Sequence, residues 1–283
     1  MSWLTFALIS LLSFVVYDVA GRYLATKSED PRAFAAIINL CIALMSPAIF
    51  LVDQTPPTQM SGGLIVLTVI GLSLWALMGR FEYFAKKHVE ASVFAITVKV
   101  APVMTFILGV IFLKESFTPA KLLGIILIIF ANTLLYLGQK KGAVISVEGS
   151  KYMTILISIL SVAWIFDAIN VKNWGVGTFT ILSYLAPFIL SAFFPPLRWA
   201  VIKRELILTP WWQFFVLGLF SLIGYACLLK AYTLGEASSV TPIATSTTPF
   251  VVLSGVILLG ERDFLGRKLI ASVMTIFAIY LMR

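Results

Sequence analysis

Glu90-Ala91-Ser92, followed by Gly109-Val110-Ile111-Phe112-Leu113-Lys114-Glu115, returns later in the chain as Glu236-Ala237-Ser238 followed by Gly255-Val256-Ile257-Leu258-Leu259-Gly260-Glu261. Both pairs are offset by the same 146 positions, from 90 to 236 and from 115 to 261. A match that holds one offset over such a distance marks a duplicated unit. Each copy has room for five apolar spans, and an odd number of crossings per copy leaves the copies in opposite orientations across a bilayer. The expectation is an all-α integral membrane protein of ten transmembrane helices, arranged as two inverted five-helix repeats. The copies fall at 1–138 and 151–283, and the Gly-, Lys- and Ser-containing stretch 139–150 serves as the linker.

Composition points the same way. Of 283 residues, 60% are hydrophobic and only 12% charged, whereas a soluble domain is about a quarter charged. A crossing needs about 20 apolar residues, so the chain is filled by spans expected at 3–24, 33–52, 64–85, 89–112, 119–138, 152–172, 177–197, 211–234, 239–260 and 264–282. The first apolar segment starts at Trp3 with no basic leader and reads as a retained helix, not a signal peptide. Cys41 and Cys227 lie inside apolar spans and read as packing residues. With His88 as the only histidine, no metal site and no cofactor are expected.

The net charge of +8 does not imply nucleic acid, because the basic residues sit singly or in pairs in short loops. Most of the 21 Lys and Arg residues follow the odd-numbered helices. By the positive-inside rule that places both termini outside the cytoplasm, in a multi-pass protein of the cell membrane.

The repeated residues resemble the drug/metabolite transporter superfamily, in particular its ten-helix EamA-type members. The matching features are two five-helix halves, a Glu-Ala-Ser entry to the fourth helix of each half, a Leu-x-Glu exit, and the helix-breaking prolines Pro102 and Pro249. The resemblance spans essentially the whole chain. It implies a bundle with a central cavity between the halves and transport of a small polar metabolite. The chain departs from the family pattern in three places. The segment Asp53 to Gly63 has no Lys or Arg where relatives carry a basic loop. Relatives have cytoplasmic termini, against the charge pattern here. Lys99 stands where such families usually show a small or apolar residue.

Lys99 falls near the centre of the expected fourth span, roughly 15 Å from either end at about 1.5 Å per residue. An ammonium at that depth costs at least about 2.5–3.5 kcal/mol on insertion scales, so it should face a cavity or a partner. Its counterpart, 146 positions on, is Thr245. Lys99 reads either as a substrate-binding cation, favouring a carboxylate, phosphate or zwitterion, or as a lysine neutralised by a carboxylate that locks helices together.

Asp18 and Asp167 occupy matching positions in the first helix of each half. They could alternate as gates or as proton or cation sites. The alternative is simple end-of-helix pairing, Asp18 with Arg22 and Asp167 with Lys172. In the ninth span, Thr241, Thr245 and Thr248 lie among Pro242 and Pro249, where freed carbonyls and hydroxyls can meet a ligand or bond back to their own helix. Trp164 and Tyr17, with Trp75 and Tyr225, are candidates to line a cavity, though packing is the common role of aromatic residues in such helices. Glu90, Glu115, Glu236 and Glu261 read as helix-end caps.

No enzyme motif is present: the chain has no phosphate-binding glycine loop, no zinc-ligand spacing and no nucleophile elbow. The function expected is secondary active transport of a small polar or charged metabolite, of amino-acid or organic-anion type, by alternating access. The substrate would bind at Lys99, Thr245, Thr241, Thr248, Trp164 and Tyr17, with Asp18 and Asp167 as gating or proton-coupling groups. The partners are the substrate, membrane lipids and a coupling proton or cation. One chain carries both repeats, so a monomer suffices and a dimer is compatible. The alternatives are a lipid flippase or a membrane-embedded lipid-modifying enzyme.

Overall fold

The computed structural model describes residues 2–25, 27–51, 53–57, 61–89, 94, 97–136, 147–193, 196–251 and 265–282. These residues are helical almost throughout. Eleven α-helices lie wholly within them: α1 (Trp3–Ala25), α2 (Pro31–Met45), α3 (Gly62–His88), α4 (Val100–Phe112), α5 (Pro119–Tyr136), α6 (Val147–Trp174), α7 (Val176–Phe193), α8 (Trp199–Leu208), α9 (Trp211–Leu234), α10 (Ala237–Ala244) and α11 (Leu265–Met282).

Local chemistry sets many of their ends. Asp30 caps α2, accepting from the backbone N–H groups of Arg32 at 2.9 Å and Ala33 at 3.2 Å, with Pro31 preset at the first helical position. Thr118 and Pro119 start α5 in the same manner, with the Lys121 N–H on the Thr118 hydroxyl at 3.3 Å. The expected span 33–52 ends as a 3-10 turn over Ser46–Leu51. Pro47 lacks a donor there, and Ser46 Oγ bonds back to the Ala43 carbonyl at 2.8 Å. Gly175 separates α6 from α7 in a left-handed conformation, φ 74°. A Cβ at that position would collide with the Thr55 carbonyl, so only glycine fits.

The expected loop after residue 197 holds a further helix, α8. Its Ile202 and Leu206 pack against the buried cluster of Leu24, Ile37, Ile38, Ile42, Phe214, Leu217 and Leu222, while Trp199, Lys203 and Ile207 face outward at four-residue spacing.

The chain forms two compact units, and these cut across the sequence copies. The first comprises Met1–Leu77 and Phe166–Leu234; the second comprises Met78–Ile165 and Gly235–Arg283. Within the first, α1 packs along α9, and α2 against both α7 and α9. Within the second, α4 packs on α10 and α5 on α11. The pairs α2 with α7, α4 with α10 and α5 with α11 each join one helix to its repeat counterpart. α3 and α6 run unbroken through the boundary, leaving the first unit at Leu77 and Phe166.

Among the described residues, six helices are long and apolar enough to cross a bilayer, and Gly62–Met78, Val100–Phe112 and Pro119–Leu135 are shorter apolar helices. Large apolar side chains face outward along them, Leu51 at 84% and Ile111 at 62% exposure among them. In a soluble fold such surface would be a liability; against lipid it is the expected coat.

Candidate functional site

The fourth and ninth spans, expected as continuous helices over 89–112 and 239–260, are both interrupted. Helix α4 begins only at Val100, after a turn at Val98 and Lys99, so Lys99 occupies a break and not the middle of a helix. Helix α10 ends at Ala244, Thr245 and Ser246 form a turn, and residues 247–251 are helical again. Residues 90–93, 95–96 and 252–260 of these spans lie outside the described residues, as do Glu261 and most of the linker.

The two breaks occupy the same place in the repeat, and proline accounts for each. A proline supplies no N–H to the carbonyl four residues before it and its ring crowds that carbonyl. Pro102 strips Val98 in this way, and the Val98 carbonyl accepts the Ala101 N–H at 3.1 Å instead. Pro249 strips Thr245, and that carbonyl accepts the Lys99 ε-ammonium at 2.9 Å. Lys99 is half-buried.

The hydroxyls of the ninth span bond largely to their own helix. Thr245 Oγ1 donates to the Thr241 carbonyl at 2.8 Å, and Ser246 Oγ to that of Pro242 at 2.6 Å. Thr241 and Thr248 are buried in the same unit, as is Trp164 at 9% exposure. The structure therefore joins Lys99 to Thr245 through its backbone.

Asp167, Tyr17 and Asp18 belong to the first unit. Asp167 on α6 is fully buried. Its partners are not Lys172 but two neutral donors: Trp75 Nε1 on α3 reaches Oδ1 at 3.0 Å, and the Tyr225 hydroxyl on α9 reaches Oδ2 at 2.9 Å. Tyr225 OH also lies 3.1 Å from Ser183 Oγ on α7. Its ring meets Trp75 and Tyr184 edge-on, with centroids at 6.3 and 5.4 Å. A second layer continues along α3 and α6, where Thr68 donates to Asn170 Oδ1 at 2.8 Å and accepts from Trp174 Nε1 at 2.7 Å. Asp18 and Tyr17 are half-buried on α1, Tyr17 against the apolar cluster.

Charged side chains also fasten the loops. Glu115, at the exit of α4, caps α10 instead of its own helix: its carboxylate accepts the Ala237 and Ser238 N–H groups at 2.7 and 2.8 Å. Glu236 accepts from Ser116 and from the Lys121 ammonium. Burial works to raise its pKa, but these bonds outweigh it and hold the carboxyl below the ordinary range. Asp53 accepts the Lys230 ammonium at 2.7 Å together with the Thr55 hydroxyl and N–H. The buried Glu205, on the helix the sequence reading left as loop, accepts the Glu29 and Asp30 N–H groups at 2.8 and 2.7 Å. A cavity of about 240 Å³ beside it, bounded by Glu29, Asp30, Val201 and Arg204, shares no residue with either site above.

An all-helical, multi-pass membrane protein with interrupted helices and buried polar groups in its spans is the class this architecture defines. Within that class the chain belongs to the EamA-like transporter family, which matches residues 1–137 and 149–283, one match for each copy. This family lies within the drug/metabolite transporter superfamily. No curated protein matches the chain. Among solved structures, a chain described as "Crystal structure of protein" superposes with a TM-score of 0.77 at 15% identity, covering 98% of this chain and 97% of that one. At that identity the likeness establishes the fold alone.

Proposed function

We propose that the protein is a secondary active carrier that moves a small carboxylate-, phosphate- or zwitterion-bearing metabolite by alternating access, with ten crossings in two inverted copies. The observation that carries this reading is the Lys99 ammonium resting on the Thr245 carbonyl, at the point where both copies interrupt the same helix. Carriers built from repeats hold substrate where helices break, because half-helix ends offer unpaired N–H and C=O groups inside the membrane. A neutral carbonyl is the weaker partner for the ammonium. A substrate anion pairs with the ammonium charge to charge, a stronger partner than a neutral carbonyl, and displaces it.

Thr241, Thr248 and Trp164 are proposed to shape the second unit around that anion, and Tyr17 is proposed as a further substrate-binding residue. Asp18 and Asp167 are the gating or proton-coupling pair. The charge bias places both termini outside the cytoplasm of a cell-membrane protein, and one chain surrounded by lipid suffices. To test the reading, purified protein is screened by thermal shift against amino acids, organic acids and organic phosphates, since a ligand stabilises the state it binds. The hits are then assayed for uptake in proteoliposomes. Lys99→Ala abolishes uptake while the protein stays folded; wild-type uptake by that variant refutes the assignment.

A further inference from the structure

We propose that Asp167 is a proton-operated latch: proton binding turns the Tyr225 hydroxyl from Asp167 to Ser183 and loosens the tie between α3 and α6. This deepens the coupling role given to Asp167 above and rests on the carrier reading for its use.

The position is the first argument. Trp75 is two residues before α3 leaves the first unit, and Asp167 is the second residue of α6 within it. Their 3.0 Å bond thus joins the last turn of α3 and the first turn of α6 that belong to the first unit. Gly71, one turn before Trp75, lets the helices approach closely: a Cβ there would stand 3.0 Å from Phe166 Cβ and 3.3 Å from Asn170 Nδ2.

The donors are the second argument. An indole N–H can only donate, so Trp75 holds Oδ1 in either protonation state. Tyr225 has one proton but two oxygens within reach, Asp167 Oδ2 at 2.9 Å and Ser183 Oγ at 3.1 Å. With the carboxylate ionised, the single Tyr225 proton goes to Asp167 and the bond to Ser183 is given up. When Oδ2 takes a proton from water, Asp167 donates to Tyr225 and Tyr225 donates to Ser183. Each hydroxyl keeps one proton, the Tyr225–Ser183 bond is gained, and the charge disappears. What weakens is the Trp75 bond, from charge-assisted to neutral, roughly a halving.

The surroundings suit a switch more than an ion pair. Tyr225 on α9 and Tyr184 on α7 are the titratable groups packed around Asp167, and Tyr17 on α1 interacts with Tyr184. Asp18 follows Tyr17 on α1. Among the described residues, no lysine or arginine bonds to the Asp167 carboxylate.

The test uses the full chain. Infrared difference spectra of the purified protein between neutral and acidic pH show a carboxylic-acid band that Asp167→Asn removes and Tyr225→Phe shifts. Deuterium exchange in α3 around Trp75, corrected for intrinsic pH effects, is several-fold faster at acidic pH in the wild type. In Asp167→Asn, whose amide presents one acceptor and one donor like the protonated acid, it is fast at both pH values. A band unmoved by Tyr225→Phe, or exchange whose pH response survives Asp167→Asn, overturns the latch. Neither readout involves transport, so failure to find any transported substrate would count against the carrier reading and leave the latch result intact.

Discussion

Lys99 places its ammonium 2.9 Å from the Thr245 carbonyl, the carbonyl that Pro249 deprives of its helical donor. Pro249→Ala supplies that donor and makes the ninth span a more regular helix, where proline costs about 3 kcal/mol relative to alanine. The variant is expected to melt at a higher temperature than wild type and to transport more slowly. A single set of melting curves and uptake rates checks both. A stabilised variant with unchanged uptake would show that the break serves folding alone.

Glu115 supplies α10 with its cap from another helix, through the Ala237 and Ser238 N–H groups. Removing an N-cap acceptor costs about 0.5–2 kcal/mol, and the negative charge adds to this at a helix N-terminus. Glu115→Ala should therefore lower the melting temperature more than Glu115→Gln, which keeps one acceptor. Equal effects would mean that the charge, and not the acceptor that Gln retains, carries the stabilisation.

The tie from Asp53 to Lys230 responds to acid. Burial acts to raise the Asp53 pKa, but the bonds from Lys230 and Thr55 prevail and hold it below the ordinary carboxylate value. A lowered folded-state pKa contributes stability above the unfolded-state value, about 3.9, and loses it as pH falls through the folded-state value. Asp53→Asn should be less stable than wild type at neutral pH, with the gap closing below about pH 4. Thermal melts across that range decide it. A constant gap would assign the effect to packing.

Gly175, at φ 74° with the Thr55 carbonyl against it, tolerates no Cβ. Gly175→Ala is expected to destabilise by about 1 kcal/mol or more, because a strained backbone and a collision act together. Melting temperature and detergent-resistant yield measure this. A neutral outcome would show that the loop from Asp53 to Pro57 yields easily.

The repeated Glu-Ala-Ser and Leu-x-Glu motifs made the duplication legible, and the family matches the chain twice, over 1–137 and 149–283. The second span was expected from 33, and Asp30 caps a helix that begins two residues earlier, at Pro31. The break at Lys99 was less visible. The proline that causes it stands three residues later, inside an apolar run that reads as continuous. Helix α8 was hidden by Lys203-Arg204-Glu205, which resembles a turn until Glu205 is found buried beneath the Glu29 and Asp30 N–H groups. Asp167 was singled out in the sequence, but its partners are 92 and 58 residues away and only packing brings them together. The same holds for the compact units, which draw on both copies and follow tertiary contacts, not chain order.

The central claim is that Lys99 recognises an anionic group of the substrate. The most direct measurement is the Kd of the transported compound and of an uncharged ester or amide analogue, for wild type and for Lys99→Met. The account predicts that wild type binds the analogue at least about tenfold more weakly, a difference of about 1.4 kcal/mol, and that Lys99→Met binds the two alike. If Lys99→Met discriminates between them as wild type does, the anion is held elsewhere and the assignment of Lys99 is contradicted.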